Sequence, residues 1–277
     1  MDYIEKFKSE LAFSNLASAS VYRYTKTVER YLELTAGNPA FTRDEIMEFI
    51  KSLGDTTGTY KNWCLMAVKR FWEACAPGDK PWPLRRREGP RVEVRAQPFF
   101  KPEDVSALLN VAKGDKRSYA IIQVFIDTLC RKDELCKLER DNYGNGTLLM
   151  KLSKGEEYRT VGLTGEARRA LDNYLKTRRD NNPALFVNDN GSRMSTGSVG
   201  IMIKSYLQQL GIYVARMGSH SFRRGGVTDL SGKGMSDLLI AKWGGWKSTA
   251  MIQRYAQLSP STIEPEIRKL SPLRGGG

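Results

Sequence analysis

The sequence predicts a mainly α-helical fold with two domains: a helical N-terminal domain and a larger, α-rich domain with a small antiparallel sheet. Three observations predict it. Apolar residues recur at helical spacing along most of the chain, a proline-rich segment interrupts them, and one stretch around residue 155 alternates with a period of two. We therefore expect a first domain over residues 1–75, a linker over 76–98 and a second domain over 99–277.

The N-terminal domain is predicted to be helical throughout. Thr42-Arg-Asp-Glu45 has the spacing of a capping box, in which each of the two side chains bonds the other residue's backbone amide at the start of a helix. A later helix carries several aromatic residues with cations between them. The cations are Lys61, Lys69 and Arg70. They either contact a phosphate backbone or form a solvated face, and the sequence leaves both interpretations open.

The linker holds five of the eleven prolines, a density that neither a helix nor a central strand tolerates. It is also rich in arginine. An extended basic strap would suit a phosphate backbone, and a plain solvated linker is the alternative. The candidate DNA contacts in this segment are Arg85, Arg86, Arg87 and Arg91.

The second domain begins with a helix at Pro102. A nearly unbroken apolar run at residues 119–129 predicts a helix that is buried almost all round, and Arg131 follows its end. Residues 147–152 and 158–163 alternate on either side of Lys154 and predict a hairpin. Trp243 is expected in the core. Further helices are predicted over residues 165–178, 197–210, 221–231, 236–243 and 249–257.

The composition favours a polyanionic partner. The net charge is +13, and the residues after Pro98 contribute most of it, with 28 basic and 18 acidic side chains. The four cysteines form no CxxC pair and the chain has one histidine, so we expect free, buried thiols and no metal or other cofactor. No apolar run is long enough to span a membrane. This predicts a cytoplasmic protein without a membrane partner; if the polyanionic partner is DNA, the protein would be nucleoid-associated, or act in a host cell if a virus or plasmid encodes it.

Several residues together suit phosphodiester cleavage without a metal. A guanidinium group binds two phosphate oxygens at once and stays charged, which Arg131 and Arg223 would exploit. The phenol of Tyr255 would attack more easily if neighbouring cations lowered its pKa. Each residue alone is also compatible with an ordinary structural role, so the prediction depends on order and spacing. The remaining members of the candidate site are Lys154, His220 and Trp246.

Over residues 99–272 the chain resembles the tyrosine recombinase family, which includes phage-type integrases and Xer-like recombinases. The first arginine precedes an acid–leucine pair, Glu134-Leu135, and the hairpin has the frame Lys-Gly-x-x-x-Arg-x-Val-x-Leu from Lys154 to Leu163. His220-x-x-Arg223 follows, and Trp246 lies nine residues before Tyr255. Tryptophan stands there in a minority of the family, and histidine in most members.

The resemblance implies a role for each catalytic candidate. Tyr255 would attack the scissile phosphate and form a 3′-phosphotyrosine link, while Arg131 and Arg223 clamp the phosphate. Lys154 would protonate the leaving 5′-oxygen, and His220 would assist proton movement from the tyrosine. Because the covalent link conserves the bond energy, rejoining would need neither ATP nor metal.

The resemblance also implies supporting residues and partners. Trp246 would pack against the helix of the nucleophile, and Glu134 would position Arg131. Arg159 and Arg224 are further candidates for DNA contact. The DNA partner would be double-stranded and carry specific recombination sites. Four copies of the chain would assemble on two such sites, with residues 261–270 docking onto a neighbour.

Three other functions stay open at this point. A type IB topoisomerase uses nearly the same residues to relax DNA as a monomer. A DNA-binding regulator would use the basic surface without Tyr255. A metal-dependent nuclease is disfavoured, because the sequence shows no carboxylate–histidine cluster.

Overall fold

The computed structural model describes residues 2–76, 78, 81–85, 88–91, 97–152, 157–250 and 252. The chain divides into two compact units, Met1–Arg95 and Ala96–Gly277, so the division lies inside the predicted linker segment. The described residues form α-helices and one three-stranded antiparallel sheet, which confirms the predicted mainly helical fold class. None of the described helices is both long and apolar enough to cross a membrane.

The described residues of the first unit form four helices: α1 Tyr3–Ala12, α2 Ser18–Leu34, α3 Arg43–Ser52 and α4 Gly58–Cys75. Their apolar faces enclose a core in which aromatic rings meet edge to face, the favoured geometry for such pairs. The ring of Tyr31 lies 5.3 Å from that of Phe49 and 6.2 Å from that of Phe71, measured between centroids. All three side chains are fully buried.

The predicted capping box at the start of α3 forms only in part. The Thr42 hydroxyl accepts from the Glu45 amide at 3.3 Å, as expected. The Glu45 carboxylate, however, accepts from the amides of Ala40 and Phe41 and from the Tyr31 hydroxyl. Phe41 has a φ of 54°, and this left-handed turn brings the preceding amides within reach of the carboxylate. Burial and the carboxylate raise the pKa of Tyr31 far above its usual value.

The described part of the second unit contains seven α-helices and one sheet, which the second and third of these helices contact. The helices are α5 Pro102–Ala112, α6 Lys116–Thr128, α7 Lys132–Cys136, α8 Gly165–Leu175, α9 Thr196–Gln209, α10 Ser219–Gly232 and α11 Asp237–Gly244. The strands are β1 Tyr143–Gly144, β2 Thr147–Lys151 and β3 Tyr158–Gly162, paired antiparallel in chain order. The predicted hairpin is therefore confirmed. Of the predicted helix 249–257 only residues 249, 250 and 252 are described, and the docking segment 261–270 lies outside the described residues.

Helix α6 runs through the middle of the second unit, as the apolar run predicts. Ile121, Ile122 and Phe125 have no exposed surface. The helix ends where Leu129 adopts a left-handed conformation, with φ 50° and ψ 29°. The carbonyl groups of its last turn therefore lack partners within the helix and need them from elsewhere in the protein.

The four cysteines are free and buried, in agreement with the prediction. Burial raises the pKa of Cys130 to about 12 and that of Cys136 to about 11. Both thiols therefore stay protonated at neutral pH and behave as small apolar side chains.

Candidate active site

The carbonyl groups at the end of α6 form the base of the candidate site. Three consecutive ones each accept a hydrogen bond from a distant side chain. The indole Nε1 of Trp243 donates to Asp127 O at 2.6 Å, Arg159 Nη2 donates to Thr128 O at 3.1 Å, and Arg223 Nη1 donates to Leu129 O. The end of a helix carries partial negative charge, so two guanidinium groups are stabilised there. Side chains from β3, α10 and α11, which are far apart in sequence, thus meet at residues 127–129, close to Arg131.

Arg131 caps α7 and is held by Glu134. The Glu134 carboxylate accepts from the Arg131 amide at 3.0 Å and from its Nη1 at 2.6 Å. The Glu134 side chain is fully buried, whereas that of Arg131 is 35% exposed. Burial alone would raise the pKa of Glu134, but these hydrogen bonds and the nearby arginine charges outweigh it and lower the pKa. The carboxylate is therefore ionised and fixes the direction of a guanidinium that reaches solvent.

Arg223 lies in α10 and stacks on Trp246. Its guanidinium carbon is 3.5 Å from the centroid of the Trp246 ring, a close cation–π contact. Both residues are buried, Arg223 at 1% and Trp246 at 8% exposure. Helix α10 approaches α6 closely because residue 226 is glycine: a Cβ there would lie 2.3 Å from Leu129 Cδ2. That approach lets Arg223 reach Leu129 O.

His220 lies in the first turn of α10, three residues before Arg223, with its side chain exposed. Although His220 keeps an exposed surface, the part of the imidazole that faces protein has lost water, which lowers its pKa; the positive charges of Arg224, Arg223, Arg131 and Lys132 lower it further. His220 is therefore mostly neutral at pH 7 and able to accept a proton. His220 and Arg223 are three positions apart on α10, so their side chains lie on neighbouring positions of one helix face.

Two predicted DNA contacts, Arg159 and Arg224, lie inside the protein. The Arg159 side chain is only 9% exposed, because Arg159 and the buried Val161 lie on the same inner face of β3. Arg224 is buried as well, and its guanidinium donates to Pro98 O at 2.8 Å and to the Ser221 hydroxyl at 3.0 Å. Both arginines therefore bind protein groups in this structure, and their contact with DNA stays a prediction. Trp243, predicted in the core, is 40% exposed; only its indole N–H is anchored, on Asp127 O.

Of the remaining predicted residues, five are described by the structure and four are not. Arg85 and Arg91 are exposed, while Lys61, Lys69 and Arg70 are half-buried on α4. Arg70 lies 5.4 Å above the ring of Tyr24, and Lys69 is 3.8 Å from the Glu73 carboxylate. The others lie outside the described residues: Lys154, Tyr255, Arg86 and Arg87.

A basic cleft in the first unit was not singled out from the sequence. It has a volume of about 540 Å³ and lies between α2, α3 and α4. Arg23, Lys26 and Arg30 line it on α2, and Tyr60 and Trp63 line it on α4. The signal was present, since basic residues at spacings of three and four recur along one face of α2.

The arrangement in the second unit suits anion binding and proton transfer. It combines a partly exposed guanidinium held by a buried carboxylate, a second guanidinium stacked on an indole, and a neutral imidazole beside them. Such groups neutralise charge on phosphate oxygens and accept a proton. Across the described ranges, no group of three or more histidine, cysteine or acidic side chains is placed to hold a metal ion.

Comparisons with known proteins agree with this arrangement. Residues 98–262, more than half of the chain, match the model of the phage integrase family. Tyrosine recombinase XerA of Pyrococcus furiosus is 24% identical over 280 residues, covering 98% of this chain and 95% of XerA. Among solved structures, the Tn1549 transposon integrase in complex with transposon right end DNA has a TM-score of 0.80 at 16% identity, covering 98% of this chain and all of that one. A lambda integrase dimer bound to a COC′ core site has a TM-score of 0.74 at 16% identity, covering 92% of this chain and 76% of that one. At these identities the structural similarity shows the fold alone.

Proposed function

Because this chain belongs to the phage integrase family of tyrosine recombinases, we propose that it cuts and rejoins double-stranded DNA at specific sites through a 3′-phosphotyrosine intermediate. Its enzyme class, a site-specific DNA recombinase, follows from the family. The observation that carries the proposal is the placement of the Arg223–Trp246 pair at the end of α6, directly before the Glu134-held Arg131, with His220 three positions before Arg223 on the same helix. A protein that only bound DNA would not need a buried carboxylate to orient one arginine and an indole to cover another.

In the proposed reaction the Tyr255 oxygen forms a bond to the scissile phosphorus, and the bond to the 5′-oxygen breaks. His220 accepts the phenol proton and Lys154 gives a proton to the leaving 5′-oxygen, while Arg131 and Arg223 neutralise the charge that develops on the phosphate. Attack of a free 5′-hydroxyl on the phosphotyrosine reverses these steps and releases the tyrosine. The family match over residues 98–262 includes the positions of both Lys154 and Tyr255.

Contact between Arg223 and the phosphate requires a local rearrangement. Its guanidinium is stacked on Trp246 and only 1% of the residue is exposed. Binding of DNA would therefore uncover this arginine, whereas Arg131 is already partly exposed. In this proposal Arg131 engages the phosphate first and Arg223 engages it second.

DNA contact in the first unit is proposed for the basic cleft of α2 and α4. Three cations on α2 face an aromatic wall there, which provides charge for the phosphates and flat rings for the sugars and bases. Arg85 and Arg91 are exposed and remain candidates. Assembly of four copies on two DNA sites in the cytoplasm completes the proposal.

The experiment that tests the function recovers the covalent intermediate. Purified protein is incubated with sheared genomic DNA of the source organism, denatured, and separated from unbound DNA; the attached DNA ends are then sequenced. We expect protein on 3′-ends at one recurring sequence, free 5′-hydroxyl ends, and no adduct with Tyr255→Phe. Adducts that persist in Tyr255→Phe, or no adduct with the wild type, would contradict the proposed mechanism.

Further arms separate the alternatives. Supercoiled plasmids with and without paired copies of the recovered sequence distinguish recombination from relaxation: a topoisomerase would relax both equally. Cleavage that EDTA abolishes would indicate a metal-dependent nuclease. Tight binding of the recovered sequence without any adduct would indicate a regulator.

A further inference from the structure

Arg159 connects parts of the candidate active site that come from distant stretches of the chain. It lies on β3, five residues beyond Lys154, and its side chain is 9% exposed. Its guanidinium donates to Thr128 O at 3.1 Å, at the end of α6. The pKa of Arg159 is lowered by burial, with the Glu134 charge opposing that effect, and an arginine in this setting keeps its proton at neutral pH.

Towards α7, Arg159 supports the residue that holds Arg131. Its Nη2 lies 3.5 Å from Glu134 Oε2, the oxygen that accepts from the Arg131 amide. The other carboxylate oxygen accepts from the Arg131 guanidinium at 2.6 Å. One buried carboxylate therefore lies between two arginines, one partly exposed towards solvent and one enclosed by the protein. Loss of Arg159 would leave Glu134 with less positive charge and free it to change its direction.

Towards α11, Arg159 fixes the turn that leads to Trp246. Its Nη1 donates to Gly244 O at 2.6 Å. Gly245 has a φ of 68°, and a Cβ there would lie 2.2 Å from Arg159 Nη1, so a glycine is required for the guanidinium to pass. The next residue is Trp246, on whose ring Arg223 stacks. Arg159 is thus linked to both candidate phosphate-binding arginines, through Glu134 on one side and through the glycine turn on the other.

We propose that Arg159 is a positioning residue that sets Arg131 and the Trp246–Arg223 pair in register, and that it acts on the rate of DNA cleavage and not on DNA affinity. This inference rests on the proposed function. A reacting group displaced by about 1 Å typically loses about 100-fold in rate. Because the Arg159 guanidinium is engaged by Thr128 O, Gly244 O and Glu134, we expect its removal to leave the affinity for DNA unchanged.

The test compares Arg159→Met with Arg159→Lys and with Arg178→Met. Methionine fills most of the space without donating. Lysine keeps the charge but cannot reach Glu134, Thr128 O and Gly244 O together. Arg178 is the matched control: its side chain is 4% exposed and it donates to three backbone carbonyls, Ala184 O at 3.0 Å, Leu185 O at 2.8 Å and Asn182 O at 3.2 Å. Its side-chain partners among the described residues are Asp180 and Tyr174, neither of which is a candidate site residue.

Two quantities are measured on the duplex recovered by adduct sequencing: the dissociation constant, by fluorescence anisotropy, and the single-turnover rate of adduct formation. For Arg159→Met we expect a rate about 100-fold lower at unchanged affinity, and for Arg159→Lys a partial recovery. Arg178→Met should lose stability but keep the rate of its folded fraction. Equal rate losses in Arg159→Met and Arg178→Met would overturn the positioning role, and so would a loss of affinity that accounts for the loss of rate.

A measurement without DNA keeps the inference separate from the proposed function. In NMR spectra, Arg159→Met should shift the Arg131 Nε–H and Trp246 indole N–H signals, and Arg178→Met should leave both in place. Unshifted signals in Arg159→Met would contradict the positioning role even if adducts form. A wild-type protein that forms no adduct, together with shifted signals, would contradict the recombinase mechanism and leave the link between the two arginines supported.

Discussion

Arg223 places its guanidinium carbon 3.5 Å from the centre of the Trp246 ring, 23 positions further along the chain. Of the aromatic side chains, tryptophan binds cations most strongly, and a desolvated pair contributes about 2 kcal/mol. The same indole closes a small core formed with Leu129, Val227, Ile240, Ala241 and Ile252. Trp246 thus joins apolar packing with the support of a charged group.

Substitutions of Trp246 should separate these two contributions. We expect Trp246→Phe to cost about 1 kcal/mol, since a ring remains beneath Arg223, and Trp246→Ala to cost about 3–5 kcal/mol in unfolding free energy. Urea denaturation measures both. The control is Trp243→Phe, which removes the hydrogen bond to Asp127 O and shrinks a partly exposed ring without touching Arg223, and should cost about 1 kcal/mol. Equal losses for Trp246→Phe and Trp246→Ala would show that the aromatic face contributes nothing.

Gly244 should tolerate no side chain. A Cβ at this position would lie 1.8 Å from Trp246 Cζ3, so Gly244→Ala must displace the indole or the turn. We expect a loss of about 1–3 kcal/mol in unfolding free energy, together with slower adduct formation. Gly162→Ala is the matched control, because nothing lies within 4 Å of its Cβ. Equal unfolding temperatures of Gly244→Ala and Gly162→Ala would show that Gly244 does not pack closely against Trp246.

Glu134→Gln should destabilise the protein in a pH-dependent way. The folded-state pKa of Glu134 is lowered, so its ionised form stabilises the fold above the ordinary pKa, and that contribution disappears as the pH falls through the lowered value. We expect a loss of about 3 kcal/mol at pH 7 that shrinks towards zero below about pH 4. Chemical denaturation across pH checks this. Glu139→Gln, which affects a partly exposed pair with Arg193, should cost below about 1 kcal/mol.

His220 should titrate below its ordinary pKa. It is the chain's only histidine, so untagged protein gives a single imidazole signal in NMR. We expect a midpoint below 6.5, and a rise towards that value in Arg131→Gln, because one of the positive charges that lower the pKa is removed. Since the unfolded chain binds this proton more readily, stability should fall as the pH drops through 6.5, and His220→Asn should lack that loss. A midpoint above 6.5 would contradict the crowding of cations around His220.

Lys26→Gln should weaken DNA binding where Lys8→Gln does not. Each of these exposed lysines lies 2.7 Å from a glutamate three positions away, but only Lys26 lines the basic cleft. Losing one phosphate contact lowers the slope of log affinity against log salt by about 1. Titrations of duplex DNA at several salt concentrations measure it. Equal slopes for the two variants would remove the cleft from the DNA interface.

The hairpin shows what the sequence could predict. Its alternation gives both strands, and the register pairs Leu148 with Val161 and Met150 with Arg159. The same alternation places Arg159 on the inner face with Val161, so its burial was predictable, although a charged residue on that face suggested solvent or DNA. Its partners were not predictable: Gly244 O is 85 positions away, and only the tertiary fold brings it within reach.

Trp243 and Glu45 show the limits of local patterns. A tryptophan in a helix is usually a core residue, yet Trp243 is 40% exposed, because its role is one hydrogen bond to a carbonyl 116 positions away. Glu45 has the right spacing for a reciprocal cap, but the left-handed turn at Phe41 offers it two other amides. In both cases a distant or unusual backbone geometry decided which partner the polar group found.

The hydrogen bonds at the end of α6 limit which segments this protein can exchange with its relatives in a chimera. The backbone carbonyls of residues 127–129 accept hydrogen bonds from side chains of β3, α10 and α11, which lie 31 to 116 positions away. A chimera that takes the hairpin from one parent and the last helices from another would combine hydrogen-bond donors that did not evolve together. Exchange of whole units at the boundary after Arg95 avoids that conflict, so modular engineering of DNA specificity is best attempted there.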